Sequence, residues 1–413
     1  MKDSKDSKDS RESLLFYCQH SLGMGHLVRS LALAASLAER FRVVLLNGGK
    51  MPKGLVVPRG VEVVNLPPLG LDTEGRLVSR DGRRTAERAK ELRRALIVET
   101  YRRLRPRVVF VELFPFGRKK FADELLPLLE EARAESTRRP LVVCSLRDIL
   151  VGKRAGQQKH DARAAETANR YFDAVLVHSD PAFARLEESL GSYGSLAVPV
   201  HYTGFVLPAQ EPTNSDATKV ERRILVSAGG GLVGETLFRA AVAAYPLLRQ
   251  TDDMTMEIVT GPFMPESAWQ SLRESARRLR GLTVRRFVSD LCAEMRRSAA
   301  SVSQCGYNTA LDILRAGVPA LVVPFADGGE DEQLNRARRL ERLGTLRVAE
   351  QHELDPSRFA RELHELLSFR PRQSALDMRG GHNSARLVES LLRSGTSRAT
   401  APSRGRHRHE RMA

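Results

Sequence analysis

Cysteine is scarce in this 413-residue chain, and the four present, Cys18, Cys144, Cys292 and Cys305, are scattered without any C-x-x-C spacing. Neither a zinc ribbon nor a disulfide framework can organise such a sequence, and a reducing cytoplasm is the expected setting. No apolar run approaches the roughly 18 residues of a membrane-spanning helix, so any membrane contact is expected to be peripheral, at the inner face. The first residues, MKDSKDSKDSRE, repeat Lys-Asp-Ser and lack the apolar stretch of a signal peptide, so 1–12 reads as a disordered leader. H-E-x-x-H, G-x-S-x-G and the phosphate loop ending in Gly-Lys-Ser/Thr are all missing, which removes three common catalytic plans.

What the chain has in excess is positive charge. Lys and Arg number 66 against 50 Asp and Glu, a formal net charge of +16. Such a surplus favours anionic partners: nucleotides, phospholipid surfaces or nucleic acid. Solvated, arginine-rich helix faces would produce the same number. A nucleic-acid binder would interleave aromatic with basic residues; the sequence does not, and no nucleic-acid partner is expected.

The length suits two domains. Strand runs at Leu14–Gln19, Val43–Asn47, Val61–Asn65, Val108–Leu113, Leu141–Leu146 and Ala174–His178 alternate with helical patterns, the signature of a parallel sheet covered on both faces. An arginine-rich helix over Arg83–Arg105 reads as a solvated surface, or else as a docking face for an anionic acceptor. Between 208 and 221 the apolar period lapses into AQEPTNSDATKV, a linker. A second α/β series follows, with strands near Ile224–Ser227, Met256–Thr260, Leu282–Phe287, Val302 and Leu321. The expectation is two doubly wound Rossmann-like domains, 13–207 and 222–396, facing across a cleft, with a basic disordered tail over 397–413.

Two stretches of the second domain point to a ligand. Gly229-Gly230-Gly231-Leu-Val-Gly234 matches G-x-G-x-x-G between a strand and a helix, but the acidic companion of a dinucleotide site, due near Thr260 and Gly261, is missing. These glycines fit a loop whose backbone N–H groups approach a diphosphate. The other stretch runs from Ser301 to Asn335. There a strand, a turn at Gly306 and a helix with Thr309 and Asp312 on one face precede a buried strand and an acidic loop containing Gly328, Gly329, Glu330, Asp331, Glu332 and Gln333. A helix opening after a strand aims free N–H groups at the crevice of an α/β sheet, a phosphate-favouring position. Thr309 and Asp312 would then meet a phosphate and a ribose; the alternative is an ordinary capping box.

The pattern S-x-x-G-x-N-T-x-x-D-I-L-x-x-G-V-P-A-L-V-V-P, followed by D-E-Q-L-N-R-A, resembles the donor half of the GT-B nucleotide-sugar glycosyltransferases. It is similar to family 28 and the lipid-intermediate N-acetylglucosaminyltransferases of peptidoglycan synthesis. That family usually carries Glu at the position of Asp312. The resemblance implies a GT-B transferase that moves a sugar from a UDP-linked donor to an acceptor hydroxyl with inversion. It implies no metal and no cofactor beyond the nucleotide-sugar substrate. Donor contacts would come from Gly229, Gly230, Gly231, Phe287, Val288, Gly306, Asn308, Thr309, Asp312, Glu332 and Gln333. Gly23, Gly25 and Arg29 would form the acceptor-side loop, with an acceptor that is anionic or membrane-associated. His26 would take the acceptor proton, because a helix N-terminus disfavours imidazolium and keeps the ring neutral. The segment GMGHLVRSLALAASL also resembles UDP-sugar hydrolases, for which water is the acceptor. UDP-sugar 2-epimerases share the fold, but their paired-acid signature is not found.

Overall fold

A computed structural model of the full chain describes residues 10–20, 25–52, 55–72, 74–150, 156–208, 220–325 and 331–399. Most of the expected leader, linker and tail, and Gly23, Gly328, Gly329 and Glu330, lie outside the described residues. The amino-terminal half runs β1 (Ser13–Cys18), α1 (Gly25–Leu37), β2 (Arg42–Asn47), β3 (Val61–Asn65), a small hairpin of β4 (Leu69–Leu71) and β5 (Leu77–Ser79), then α2 (Ala86–Leu104), β6 (Val108–Glu112), α3 (Ala122–Ala134), β7 (Leu141–Leu146), α4 (Gln157–Tyr171), β8 (Ala174–Val177) and β9 (Val200–Tyr202). The second half runs β10 (Glu221–Ser227), α5 (Glu235–Thr251), β11 (Thr255–Val259), α6 (Glu266–Arg277), β12 (Leu282–Arg285), α7 (Leu291–Arg296), β13 (Ser298–Ser303), α8 (Tyr307–Ala316), β14 (Ala320–Val322), α9 (Glu332–Arg342), β15 (Arg347–Val348), α10 (Pro356–Ser368) and α11 (Gly380–Ala399).

Two parallel sheets result, as the alternation predicts. Their strand orders are β3-β2-β1-β6-β7-β8-β9 and β12-β11-β10-β13-β14-β15. Central strands such as SLLFYC and VVFVE are buried almost throughout, because helices cover both faces of a parallel sheet. In each sheet the chain winds outward from its first strand and then returns to build the other side, so the order reverses between β1 and β6 and again between β10 and β13. The carboxyl ends of strands flanking such a reversal open into a crevice, and ligands bind there.

The structure departs from the sequence reading at two helices. The arginine-rich helix α2 is not uniformly solvated: Ala89, Arg93, Ile97 and Tyr101, four apart, form a buried stripe. Arg93 is fully buried, bonded to Glu124 at 2.6 and 2.7 Å, to the Gly48 carbonyl at 2.6 Å and to Gln19 at 2.7 Å. Its charge therefore ties α2 and α3 to the loops after β1 and β2. The second departure is α11, which belongs in space to the amino-terminal domain. Ala385 and Val388 join the core formed by α1 and strands β1 and β2. With this cover α1 buries Ala32 and Leu33 as well as Leu27, Leu31 and Ala34, and an all-round apolar helix is the outcome expected of double cover.

The domains are fastened by buried polar contacts. Asp148, just after β7, receives bonds from Arg336 of α9 at 2.6 and 2.7 Å, and Arg336 also donates to the Cys305 carbonyl at 2.9 Å. Tyr307 donates to the His178 carbonyl at 3.0 Å while its oxygen accepts from the Val206 N–H at 3.1 Å. Burial alone would raise the Asp148 carboxyl, but the Arg336 guanidinium outweighs it and holds the group below its usual range. The stabilisation is therefore complete above the unfolded carboxyl pKa of about 4 and fades as pH falls below it. Asp148→Ala should cost roughly 3–5 kcal/mol, because a buried ion pair is broken and Arg336 loses both of its bonds to that carboxylate. Calorimetric unfolding between pH 3 and 8 should show that loss near neutrality, shrinking toward acid. A variant with wild-type unfolding at every pH would mean the ion pair contributes nothing net.

Candidate active site at the facing sheet reversals

On the amino-terminal side, α1 opens after β1 and carries His26 in its first turn, while Glu112 ends the neighbouring strand β6. His26 Nδ1 lies 2.5 Å from Glu112 Oε1, and Arg29 Nη2 is also 2.5 Å from that oxygen. An ionised carboxylate only accepts, so Nδ1 carries the proton and Nε2 keeps a free lone pair. Glu112 is completely buried, and His26 retains 20% of its side-chain exposure. Burial works to raise the Glu112 carboxyl, but the His26 bond and the Arg29 and Arg118 cations outweigh it and keep the group ionised. Burial lowers His26 to about 3, with Glu112 opposing and Arg118 and Arg147 assisting. The result is a neutral imidazole backed by an anion. Arg29 corrects the sequence reading, since it is 2% exposed and pairs with Glu112. Its guanidinium is held by that carboxylate rather than presented to an acceptor.

Across the cleft, α8 opens after β13. Its N-cap is Gly306, with no side-chain cap, so Thr309 and Asp312 do not form the capping box that was the alternative reading. The first-turn N–H groups consequently keep their anion-binding capacity. A Cβ at Gly306 would meet nothing within 4 Å, and φ of −64° suits any residue. Gly229, after the adjacent strand β10, has φ of +52°, and a Cβ there would lie 3.9 Å from Thr309 Oγ1. Loop and helix thus meet at the second sheet reversal. Gly231 has another reason to be glycine: with φ of +90° its Cβ would sit 2.3 Å from the Thr260 carbonyl oxygen.

The remaining expected residues separate into those facing the crevice and those serving the frame. Phe287, after β12, is 47% exposed at the carboxyl edge of the sheet, whereas Val288 is buried in a core cluster. Asp312 pairs with Arg315 at 3.7 Å; burial raises its carboxyl to about 7, against the pull of Arg315 and with help from Asp290. Gln333 accepts from the Cys305 and Phe325 N–H groups at 3.1 and 3.3 Å, which leaves its NH2 for a ligand. Glu332 was expected to contact the donor, but both its oxygens hold guanidinium groups, Oε1 that of Arg336 at 2.5 Å and Oε2 that of Arg147. Asn308 donates to the Gly25 carbonyl at 3.2 Å, bringing the openings of α1 and α8 together across the domains. Its amide bridges the cleft wall. Among the described residues no three His, Cys, Asp or Glu side chains gather as a metal site, and no helix is long and apolar enough to cross a membrane.

Glu112, Arg118 and Arg147 were not singled out from the sequence. A carboxylate terminating the apolar strand VVFVE was the available signal, since a strand end at a sheet reversal lies in the crevice.

Residues 224–391 match the glycosyltransferase family 28 C-terminal domain. Among solved structures, the calicheamicin glycosyltransferase CalG4 superposes over 94% of this chain and 96% of its own, at 17% identity and a TM-score of 0.55. MurG of Acinetobacter baumannii does so over 92% and 99%, at 16% identity and a TM-score of 0.51. The chain has the GT-B fold and resembles glycosyltransferase family 28. The UDP-N-acetylglucosamine--N-acetylmuramyl-(pentapeptide) pyrophosphoryl-undecaprenol N-acetylglucosamine transferase of Brucella anthropi is 28% identical over 192 residues, which are 45% of this chain and 50% of that protein. Its counterpart from Solibacter usitatus is 30% identical over 142 residues, 33% and 37% of the two chains. The match thus spans half or less of these curated relatives, and the structural likenesses, at such identities, establish the GT-B fold alone.

The two kinds of glycine can be told apart experimentally. Gly231→Ala should cost about 1–3 kcal/mol of stability, through overpacking against Thr260 and a strained positive φ. Gly306→Ala should unfold like wild type. Equal thermal midpoints for Gly231→Ala and wild type would show that the 229–231 loop yields to a side chain.

Proposed function

We propose that this protein transfers a sugar from a nucleotide-sugar donor, UDP-linked, to an acceptor hydroxyl with inversion. The observation that carries the reading is the neutral His26, oriented by buried Glu112 at one sheet reversal and facing the Gly229 loop and the uncapped helix α8 at the other. A base with a free Nε2 on one side and an anion cradle on the other is what direct displacement at a sugar carbon requires. Nε2 takes the acceptor proton as the oxygen attacks, and Glu112 stabilises the imidazolium that forms. On the opposite side the first-turn N–H groups of α8, Thr309 and the backbone of Gly229 and Gly230 would stabilise the departing diphosphate without a metal. Glycine at 306, demanded by neither conformation nor packing, lets a phosphate approach those N–H groups. Phe287 offers an exposed face beside the base, and Asp312 would hold the ribose diol. The family 28 match over the donor domain supports the same assignment.

Turnover of a panel of UDP-sugars, followed as UDP release with and without cell-extract acceptors, tests the reading. Acceptor-dependent UDP release is expected; release of free sugar without any acceptor would favour the hydrolase alternative. His26→Ala should keep its UDP affinity and lose roughly 10² to 10⁴ in turnover, the usual span of general-base catalysis. Undiminished turnover would leave the site without its base.

Asp312 gives a pH test. Two ribose hydroxyls donate best to an ionised carboxylate, so binding should release a proton and UDP affinity should rise as pH passes through about 7. The phosphate's own titration affects wild type and Asp312→Asn alike, so calorimetry between pH 6 and 8 should show a steeper rise for wild type. Parallel profiles would remove Asp312 from the ribose site.

A further inference from the structure

The crevice around Glu112 holds more positive charge than its own carboxylates neutralise. Four guanidinium groups, Arg29, Arg118, Arg147 and Arg336, meet three carboxylates, Glu112, Asp148 and Glu332. Arg29 bonds to Glu112, Arg336 to Asp148 and Glu332, and Arg147 to Glu332. Arg118 is different. Its Nε is 3.8 Å from Glu112 Oε2, too far for a hydrogen bond, and Nε, Nη2 and that carboxylate oxygen are all buried without a hydrogen-bond partner among the described residues. Its side chain is 15% exposed. A guanidinium kept out of water with donors unused costs folding free energy, and such exceptions call for an explanation.

The loop that delivers Arg118 is rigid. Phe114 and Phe116 are each 4% exposed within the amino-terminal core, and the Gly117 N–H closes the turn on the Leu113 carbonyl at 2.9 Å. A Cβ at Gly117 would strike the Leu113 side chain at 2.7 Å. Leu113 and Arg118 themselves adopt left-handed φ of 67° and 58°, strained for residues with side chains. Backbone strain at both ends of an anchored turn aims Arg118 at the carboxylate that orients His26. Arg118 and His26 thus flank one carboxylate, His26 on Oε1 and Arg118 beside Oε2.

We propose that Arg118 is the acceptor-side oxyanion subsite: it binds a phosphate or carboxylate of the sugar-accepting molecule and so sets that molecule's hydroxyl against His26 Nε2. This rests on the transferase reading above. The donor's diphosphate is placed at α8 and the Gly229 loop in the other domain, so the oxyanion at Arg118 is the acceptor's. A planar guanidinium with two donors left without partners is suited to two oxygens of one such group.

The test uses the full chain saturated with UDP, titrated calorimetrically with inorganic phosphate and, separately, with acetate. Wild type should bind at least one of the two, and the tighter one tells a phosphate-bearing from a carboxylate-bearing acceptor. Arg118→Gln should weaken that binding at least tenfold while leaving UDP affinity unchanged and the thermal midpoint no lower than that of wild type, and Arg118→Lys should fall between. If Arg118→Gln does not fold, Arg118→Lys alone should still bind the oxyanion several-fold more weakly. Equal oxyanion affinity in wild type and variants, or no oxyanion binding by wild type, overturns the proposal. So does a parallel loss of UDP affinity, which would assign Arg118 to the donor. Failure of wild type to bind UDP would instead strike the transferase reading, and the phosphate difference between wild type and Arg118→Gln would still report on the Arg118 site.

Discussion

Two sheets that share no strand keep one relative geometry because Arg336 reaches from α9 into the amino-terminal domain and is taken up there by Asp148. Removing two charges from water is expensive, and such a pair holds only when geometry is good and the remaining donors are satisfied. Here Nε and Nη2 serve Asp148, Nη1 serves the Cys305 carbonyl, and Glu332 takes a further bond. Cys305 directly precedes Gly306, the N-cap of α8. The same guanidinium therefore fixes the domains to each other and the anion-binding helix end to both. The bridge between Asn308 and Gly25, and with it the approach of the α1 and α8 openings, depends on that fixed relation.

The chemistry follows from unequal treatment of buried charge. Glu112 stays ionised where burial would protonate it, because His26 and Arg29 share one of its oxygens and Arg118 stands near the other. His26 stays neutral in the same surroundings. In the proposed transfer, the ionised carboxylate would gain a cationic partner only when the imidazole receives the acceptor's proton. On the facing domain the charge provision is made by backbone alone, through a helix end and a glycine loop. In the proposed transfer, such a cradle would serve a diphosphate whatever sugar it carries and would leave selectivity to Phe287, Asp312 and Gln333.

Much of this was legible in the residues. Strand runs and helical periods gave the two parallel sheets, and the glycine loop and T-x-x-D helix fell at one sheet reversal as their spacing requires. His26 could be placed because a turn and a helix start follow β1. What escaped the sequence was the buried polar set. Arg93 sits among Arg88, Arg94 and Arg102 on one helix, and nothing local distinguishes the one arginine that the core encloses. Arg29 and Glu332 read as exposed site residues for the same reason: a charged side chain looks solvated until its partner is known, and the partners, Glu112 and Arg147, lie far along the chain. The destination of α11 was hidden likewise, since an amphipathic pattern says that a helix packs but not on which domain.

The return of that last helix changes how the two halves can move. The chain leaves the amino-terminal domain near Phe205 and Val206 and comes back near Asp377 to Gly380, and the two passages are hydrogen-bonded to each other: the Phe205 N–H donates to the Asp377 carbonyl at 2.7 Å, and the Gly380 N–H to the Phe205 carbonyl at 2.9 Å. A single tether lets one body swivel about it. Two tethers laid side by side form a strap, which bends across its width but resists torsion. Both crossings of this boundary therefore belong to one hydrogen-bonded strap, a second restraint beside the Arg336–Asp148 pair on how far the two halves can turn against each other.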